Sequence, residues 1–486
     1  MSDSIPVVQV PSEPQKTTHN KRPSSNADNG KIYVRSVNGL YQKIRGVSLA
    51  LLFAMYFGLV WVEVDGSPLI WFDLVGRKFH LFGATFWPQD FFLLALALII
   101  CAFGLFFITA LFGRIWCGYT CPQTAWTMMF IWLEEKIEGS RLQRMRLDKA
   151  PWSTDKVLKK TAKHASWVGL AFLTGLSFVG YFYPIRDLVV DLAFVEVTSA
   201  WALFWIGFFT VATYLNAGWV REKVCLHMCP YARFQSVMFN SKTRIIGYDA
   251  ERGEPRGAAR MASPDLVSGV NSAEQKAVTQ TKGDCVDCTL CVQVCPTGID
   301  IREGLQYECI GCALCIDACD EVMRKIDKPT GLIRYASEQE LETGQKTSLW
   351  DLRAVGYGSV LLAAVCALAV MTWQRPAMEF SAERERGALY YENGDGWIEN
   401  AYQLKVINKS EFPRSLILEL EAEKVELASS KHWEIGPGEQ KIWPVALVSL
   451  PGTSEKTVRE LEFIFKDAQT GEELVRAESK FMSPSY

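Results

Sequence analysis

Two short cysteine runs constrain this chain more than any other feature. The first is Cys285-x2-Cys288-x2-Cys291-x3-Cys295, followed by Pro296; the second is Cys309-x2-Cys312-x2-Cys315-x3-Cys319. This is the bacterial two-cluster ferredoxin spacing. Three thiolates of each run wrap one [4Fe–4S] cube, and the fourth crosses to the other. The expected ligand sets are Cys285, Cys288, Cys291 and Cys319 for one cluster, and Cys309, Cys312, Cys315 and Cys295 for the other. Paired CxxC units also hold zinc, but four thiolates satisfy zinc and eight exceed that need. Asp320 stands where a second proline would follow, which bears on a turn more than on ligation. Gly298, Gly311 and Ala313 are expected to let the backbone approach the sulfides.

The surroundings of these runs are a membrane protein's. Apolar residues come in blocks: Val47–Val62, Phe91–Phe112, Trp167–Tyr183, Ala200–Trp219 and Ala354–Trp373 read as five spans. Lys and Arg crowd the segment before the first span and the segment between the second and third, where Arg114 and the run Arg141–Lys163 lie. The loops Glu63–Asp90 and Pro184–Ser199 hold only Arg77, Lys78 and Arg186. That bias puts the N-terminus and the ferredoxin loop in the cytoplasm and the C-terminus across the membrane. The run Arg141–Lys163 reads as topological or lipid-facing. None of the 14 cysteines falls after Cys366, and clustered thiols suit metal ligation better than a disulfide scaffold. A net charge of −3 gives no field for nucleic acid, so no such partner is expected.

Five regions follow. Residues 1–41 read as a polar, disordered cytoplasmic tail and 42–240 as a membrane domain of four helices. Residues 241–350 form the two-cluster ferredoxin region and 351–375 a fifth span. Residues 376–486 form an all-β domain, with strands at Ala401–Asn408, Ser415–Ala422, Lys441–Val448, Val458–Phe465 and Leu474–Phe481 and turns at Pro437-Gly438 and Pro451-Gly452. The expected fold class is a five-span α-helical membrane domain with an inserted bacterial-type ferredoxin and a C-terminal immunoglobulin-like sandwich.

A second cysteine pattern recurs beside the spans. Span two ends in Cys117-Gly-Tyr-Thr-Cys121-Pro122, and span four ends in Cys225-Leu-His227-Met228-Cys229-Pro230. The duplication suggests an internal repeat carrying four cysteines to one membrane depth. Proline disfavours helix for the residue before it and suits the first helical position. Cys121 and Cys229 should therefore cap new helices, Gln123–Ile137 and Tyr231–Phe239, where the dipole favours a thiolate. Three readings stand: small buried hydrophobes, as expected for Cys101 and Cys366; a further iron–sulfur or thiol relay; or a copper site. In the copper site, Cys117, Cys121, Cys225 and Cys229, with Met228 and His227, suit Cu(I) by softness.

Taken together, CGYTCPQT, CLHMCPYARFQ, the inserted ferredoxin and a terminal domain beginning near ENAYQLKVINKS resemble the CcoG/FixG/RdxA family of cytochrome c oxidase accessory proteins. The resemblance covers the chain after the polar tail. It implies an oxidoreductase of the bacterial inner membrane with a periplasmic C-terminal domain. That enzyme would reduce Cu(II) to Cu(I) for assembly of cbb3-type cytochrome oxidase, with Cys117, Cys121, Cys225 and Cys229 as the reacting thiols. The implied partners are membrane lipid, a cytosolic electron donor, a copper chaperone or transporter, oxidase assembly factors or subunits, and a second copy in a homodimer. Alternatives are a NapH-like quinol dehydrogenase, which also pairs CxxxCP spans with a polyferredoxin loop, and a non-enzymatic assembly scaffold.

Overall fold

A long run without charges gives its backbone no partner in lipid except itself, so it must close into helix. In the computed structural model of the chain the described residues are 27–28, 31–64, 66–194, 200–257, 283–348, 351–392, 396–410, 412–449 and 457–484. Most of the expected tail and the Pro451-Gly452 turn lie outside them. Among the described residues four helices are long and apolar enough to cross a membrane: Leu40–Trp61, Pro88–Phe112, Ala200–Val220 and Leu352–Trp373. Their side chains are largely exposed, as with Leu94, Leu98 and Ile99, so the apolar surface requires lipid and the protein is a membrane protein.

The helices of the first half are α1 (Leu40–Gly58), α2 (Phe91–Phe112), α3 (Ile115–Tyr119), α4 (Pro122–Glu138), α5 (Arg141–Lys149), α6 (Thr154–Gly180), α7 (Ile185–Phe194), α8 (Ala200–Thr213) and α9 (Pro230–Met238). The expected third span is the apolar second half of α6, whose first half carries Lys156, Lys159, Lys160 and Lys163. α8 runs on into a π-helical segment, Tyr214–Val220. The expected outer loops carry secondary structure among the described residues: Ile70–Asp73, Lys78–Leu81 and Ala84–Phe86 form a three-stranded sheet, and α7 lies in the other.

The chain forms two compact units. One is drawn from Met1–Phe57, Ala102–Phe178 and Ser199–Ser359, the other from Gly58–Cys101, Val179–Thr198 and Val360–Tyr486. In the first, strand Ile245–Tyr248 pairs antiparallel with Ile333–Ala336 and closes the ferredoxin region around Ile246, Ile301, Ile316, Met323, Leu332 and Ile333. Residues Lys31–Val37, read as tail, are packed there: Tyr33 and Val34 are buried, and Arg35 N donates to Gln293 O. The run Arg141–Lys163 also departs from expectation. Arg144, Lys156 and Lys163 are buried, and Lys160 and Lys163 pair with Glu138. Glu134 and Glu138 on α4 supply carboxylates to Arg144, Lys160 and Lys163, while Lys156 donates to the carbonyls of Asp148 and Ala150.

The second unit contains the immunoglobulin-like domain. Its strands are β1 (Met378–Arg384), β2 (Tyr391–Glu392), β3 (Ile398–Asn408), β4 (Arg414–Ala422), β5 (Glu426–Leu427), β6 (His432–Ile435), β7 (Gln440–Ser449), β8 (Val458–Asp467) and β9 (Glu473–Met482). One sheet runs β1-β3-β7-β5 with β2 on β3; the other runs β6-β4-β8-β9. Alternate residues Tyr402, Leu404 and Val406 of one sheet meet Leu416, Leu418, Phe463 and Phe465 of the other, as a two-sheet sandwich requires. Within this unit Asp90, just before α2, accepts from Arg375 Nη2 at 2.6 Å and from Lys409 Nζ at 2.8 Å.

Candidate metal centre

The two ferredoxin runs fold alike because their short spacers demand the same unusual backbone. Asp287 and Gly311, each before the second cysteine, have φ of 52° and 66°; Thr289 and Ala313, each after it, have 57° and 60°. These left-handed residues turn each run into a short helix, Leu290–Gln293 or Leu314–Lys325. Cys285, Cys288, Cys291 and Cys319 line one cavity of about 340 Å³, so the fourth cysteine of the second run does reach the first set. Charge coupling runs within and between the sets, since Cys315 feels Cys291 besides Cys312, Cys309 and Cys295. Cys319 feels Cys285 and Cys288, while Cys309 feels Cys312 and Cys295. Burial pushes Cys291, Cys309 and Cys319 up to about 12.

The CxxxCP elements lie against the second run. Cys121 and Cys229 occupy extended N-cap positions with Pro122 and Pro230 opening α4 and α9, as expected. The elements interlock through glutamines. Cys117 Sγ is 3.4 Å from Oε1 of Gln235 on α9, and Gln123 Nε2 on α4 donates to the carbonyls of Asn216 and Arg221 at 3.0 Å each. Burial pushes Cys117 up to about 12, helped by Cys121, Cys225 and Cys229 and opposed by Arg114; burial likewise pushes Cys225 up to about 11. The four thiols thus share one electrostatic neighbourhood. Yet among the described residues no three His, Cys, Asp or Glu side chains converge tightly enough for a single metal ion. His227 and Met228 are exposed, and Met228 is 67% so. Cys101 and Cys366, read as buried hydrophobes, are exposed on their helices.

Contact between the two cysteine systems is made by backbone. A Cβ on Gly118 would sit 2.9 Å from Cys312 Cα, and one on Gly311 would sit 3.0 Å from Arg114 C. Gly311 therefore serves the approach of the α3 segment rather than only that of a sulfide. Cys117 packs with Ile310, Cys312 and Leu314, and Tyr335 Oη donates to Gly311 O at 2.7 Å.

Sequence reading missed two arginines here. Arg114, which read as an ordinary flanking charge, is buried; it donates to Tyr307 O at 2.5 Å and to Ala232 O and sits over the Tyr307 ring. Arg45 of α1 is 1% exposed, and none of its three guanidinium nitrogens has a hydrogen-bond partner among the described residues. Both flank an apolar run, Arg45 two residues before Val47 and Arg114 two after Phe112, so neither stood apart from an ordinary topological charge.

Residues 220–338 match a family profile described as a 4Fe-4S dicluster domain, and 94–139 one described as a 4Fe-4S binding domain. Residues 368–484 match the IG-like fold at the C-terminal of FixG. The first match holds Cys225, Cys229 and all eight ferredoxin cysteines; the second holds Cys117 and Cys121. The chain is 35% identical to Protein RdxA of Cereibacter sphaeroides over 401 residues, 78% of this chain and 80% of that one. It is 34% identical to Nitrogen fixation protein FixG of Rhizobium meliloti over 427 residues, 80% of this chain and 79% of that one. A crystal structure of a FixG-related protein from Vibrio parahaemolyticus aligns at 26% identity over 22% of this chain and 96% of that chain, with a TM-score of 0.20. The crossed cysteine sets thus sit in a chain whose relatives span most of its length: it belongs to the FixG and RdxA family, and is an iron–sulfur redox protein of a membrane.

Proposed function

We propose that this protein takes single electrons from a cytosolic donor and delivers them to Cu(II), releasing Cu(I) toward assembly of a cbb3-type cytochrome oxidase. The observation that carries the proposal is the backbone contact between Gly118 and Cys312, which brings the first CxxxCP element directly against the second ferredoxin run. When bound, the iron–sulfur clusters supply reversible one-electron storage. Cys288 is exposed, which suits a face where a donor docks. The distribution of Lys and Arg supports a cytoplasmic ferredoxin region and a periplasmic C-terminal domain at the bacterial inner membrane.

Copper enters as substrate. Each Cu(II) gains one electron, and thiolates favour the softer Cu(I), so Cys117, Cys121, Cys225 and Cys229 would raise the potential of copper that meets them. A copper chaperone or transporter would receive the product. Replacing these four cysteines with serine should abolish Cu(II) reduction by dithionite-reduced protein and keep about eight iron atoms per chain, the content of two cubes. Undiminished reduction would overturn the proposal.

Two observations favour other readings. The match of 94–139 to a 4Fe-4S binding domain favours a further cluster at the four thiols, in which case the same variant loses about a third of its iron. A cavity of about 1000 Å³, lined among others by Arg35, Gln42, Phe53, Met129, Trp132 and Leu314, would suit a quinol as the donor. Reduction of the clusters by a short-chain quinol in detergent would assign that role.

A further inference from the structure

A reduced [4Fe–4S] cube with four thiolates carries one more negative charge than the oxidised cube, so nearby cations raise its potential and nearby anions or burial lower it. The charges around the two cysteine sets differ in kind. Beside the first set stands Arg302, which lines the same cavity as Cys285, Cys288, Cys291 and Cys319. Its charge acts on Cys291 but is shared with two carboxylates: it donates to both oxygens of Asp300, at 2.8 and 2.7 Å, and to Asp287 at 2.6 Å. Carboxylates act on this set directly as well, Asp300 on Cys291 and Asp320 on Cys319.

Beside the second set stand two buried arginines, neither bonded to a carboxylate among the described residues. Arg114 bonds only carbonyls, those of Tyr307 and Ala232, and its charge reaches Cys309 on one side and Cys117 and Cys225 on the other. Arg45 lines a cavity with Pro296, Thr297 and Ile310, which directly follow the ligand positions Cys295 and Cys309. Glu222 lines that cavity too, but burial pushes its carboxyl toward the neutral form and it makes no bond to Arg45. Burial lowers the potential on both sides, since Cys285 and Cys291 of the first set and Cys312 of the second are buried, and of the eight only Cys288 is exposed. An unneutralised cation in a low-dielectric surrounding opposes this strongly.

We infer that Arg114 and Arg45 hold the cluster of Cys295, Cys309, Cys312 and Cys315 at a more positive potential than the cluster of Cys285, Cys288, Cys291 and Cys319. Electrons entering at the first set then run downhill to the second and on toward Cys117. Both arginines are positioning residues; they act through the cluster and touch no substrate. The inference rests on the relay proposed above for its direction of use, and not for the potentials themselves.

The test is a redox titration of the full-length, cluster-loaded protein followed by electron paramagnetic resonance. Two separate waves are expected. Arg302→Gln should move only the more negative wave, which assigns it to the first cluster. Arg114→Gln and Arg45→Gln should each move only the more positive wave in the negative direction, and Arg114→Lys should restore most of that shift. Coincident waves in the unaltered protein would overturn the inference. So would Arg114→Gln and Arg45→Gln variants that move neither wave or both equally. Should Arg114→Gln fail to load iron, Arg45→Gln carries the same expectation from a residue outside the cysteine loops. Waves that behave as stated in a protein unable to reduce Cu(II) would remove the relay and leave the potential gradient standing.

Discussion

Gly118 and Cys312 meet backbone to backbone: a methyl group on Gly118 would lie 2.9 Å from Cys312 Cα and 3.0 Å from its amide nitrogen. Neither neighbour is a flexible side-chain tip, so the segments must part to admit it. Overpacking of this kind costs about 1–3 kcal/mol. Gly118→Val should slow Cu(II) reduction by dithionite-reduced protein at least about tenfold, the effect of some 1.4 kcal/mol on a barrier. Iron content should stay unchanged. A variant with full iron and unaltered rate would remove this contact from the path.

Glu134 is fully buried and accepts from Arg221 at 2.8 Å, with Lys31 at 3.1 Å and Arg144 at 3.8 Å. Burial raises its pKa, but Arg221, Lys31 and Lys163 outweigh burial and hold the carboxyl down at about 2, against an ordinary 4.5. A depressed carboxyl stabilises the fold fully above pH 4.5 and loses that contribution as the pH falls toward 2. The loss is on the order of 3 kcal/mol. Glu134→Gln strands buried cations and should cost about 3–5 kcal/mol at neutral pH. Thermal unfolding from pH 7 to 3 should show a smaller acid-induced loss in the variant than in the unaltered protein.

In protein without metal the thiols of Cys117 and Cys225, raised to about 12 and about 11, are neutral at pH 7.5. Only thiolate reacts with iodoacetamide. Peptide mapping after brief alkylation should find both nearly unmodified at pH 7.5 and increasingly modified above pH 10. Rapid modification of either at pH 7.5 would contradict the burial described for them.

Asp317 reaches the other end of the fold's first helix. Its carboxylate accepts from Tyr41 N at 3.2 Å and Gln42 N at 2.7 Å, capping α1. Loss of a helix cap costs about 1–2 kcal/mol. Asp317→Ala should lower the melting temperature and speed proteolysis near residues 35–45, while Asp317→Asn, which still accepts, should recover part of both.

The features that were legible in the sequence are those set by spacing. The gathering of Cys285, Cys288, Cys291 and Cys319 about one cavity, the N-cap positions of Cys121 and Cys229 and five of the sandwich strands follow from local rules about thiolates, proline and alternation. What could not be read depends on residues distant in the chain. Nothing near Asp317 announces that it caps a helix starting at Leu40, and Arg114 reads as topology until Tyr307 and Ala232 surround it. Lys31–Val37 has a disordered composition yet packs, because its partners lie in α5 and the ferredoxin region: Tyr33 Oη donates to Asp148 at 2.6 Å. The short strands β2, β5 and β6 carry too few residues for alternation to register.

The cap on α1 also sets an order of events during synthesis. Tyr41 leaves the ribosome 276 residues before Asp317 does. The first membrane helix therefore waits, its end amides open, until the loop carrying the last cysteines has been made. The segment that caps the helix is thus the same one that carries the last cluster cysteines. A chain cut short before Asp317 would keep a frayed first helix, open to proteolysis, and quality control could recognise the unfinished protein from the state of its oldest segment.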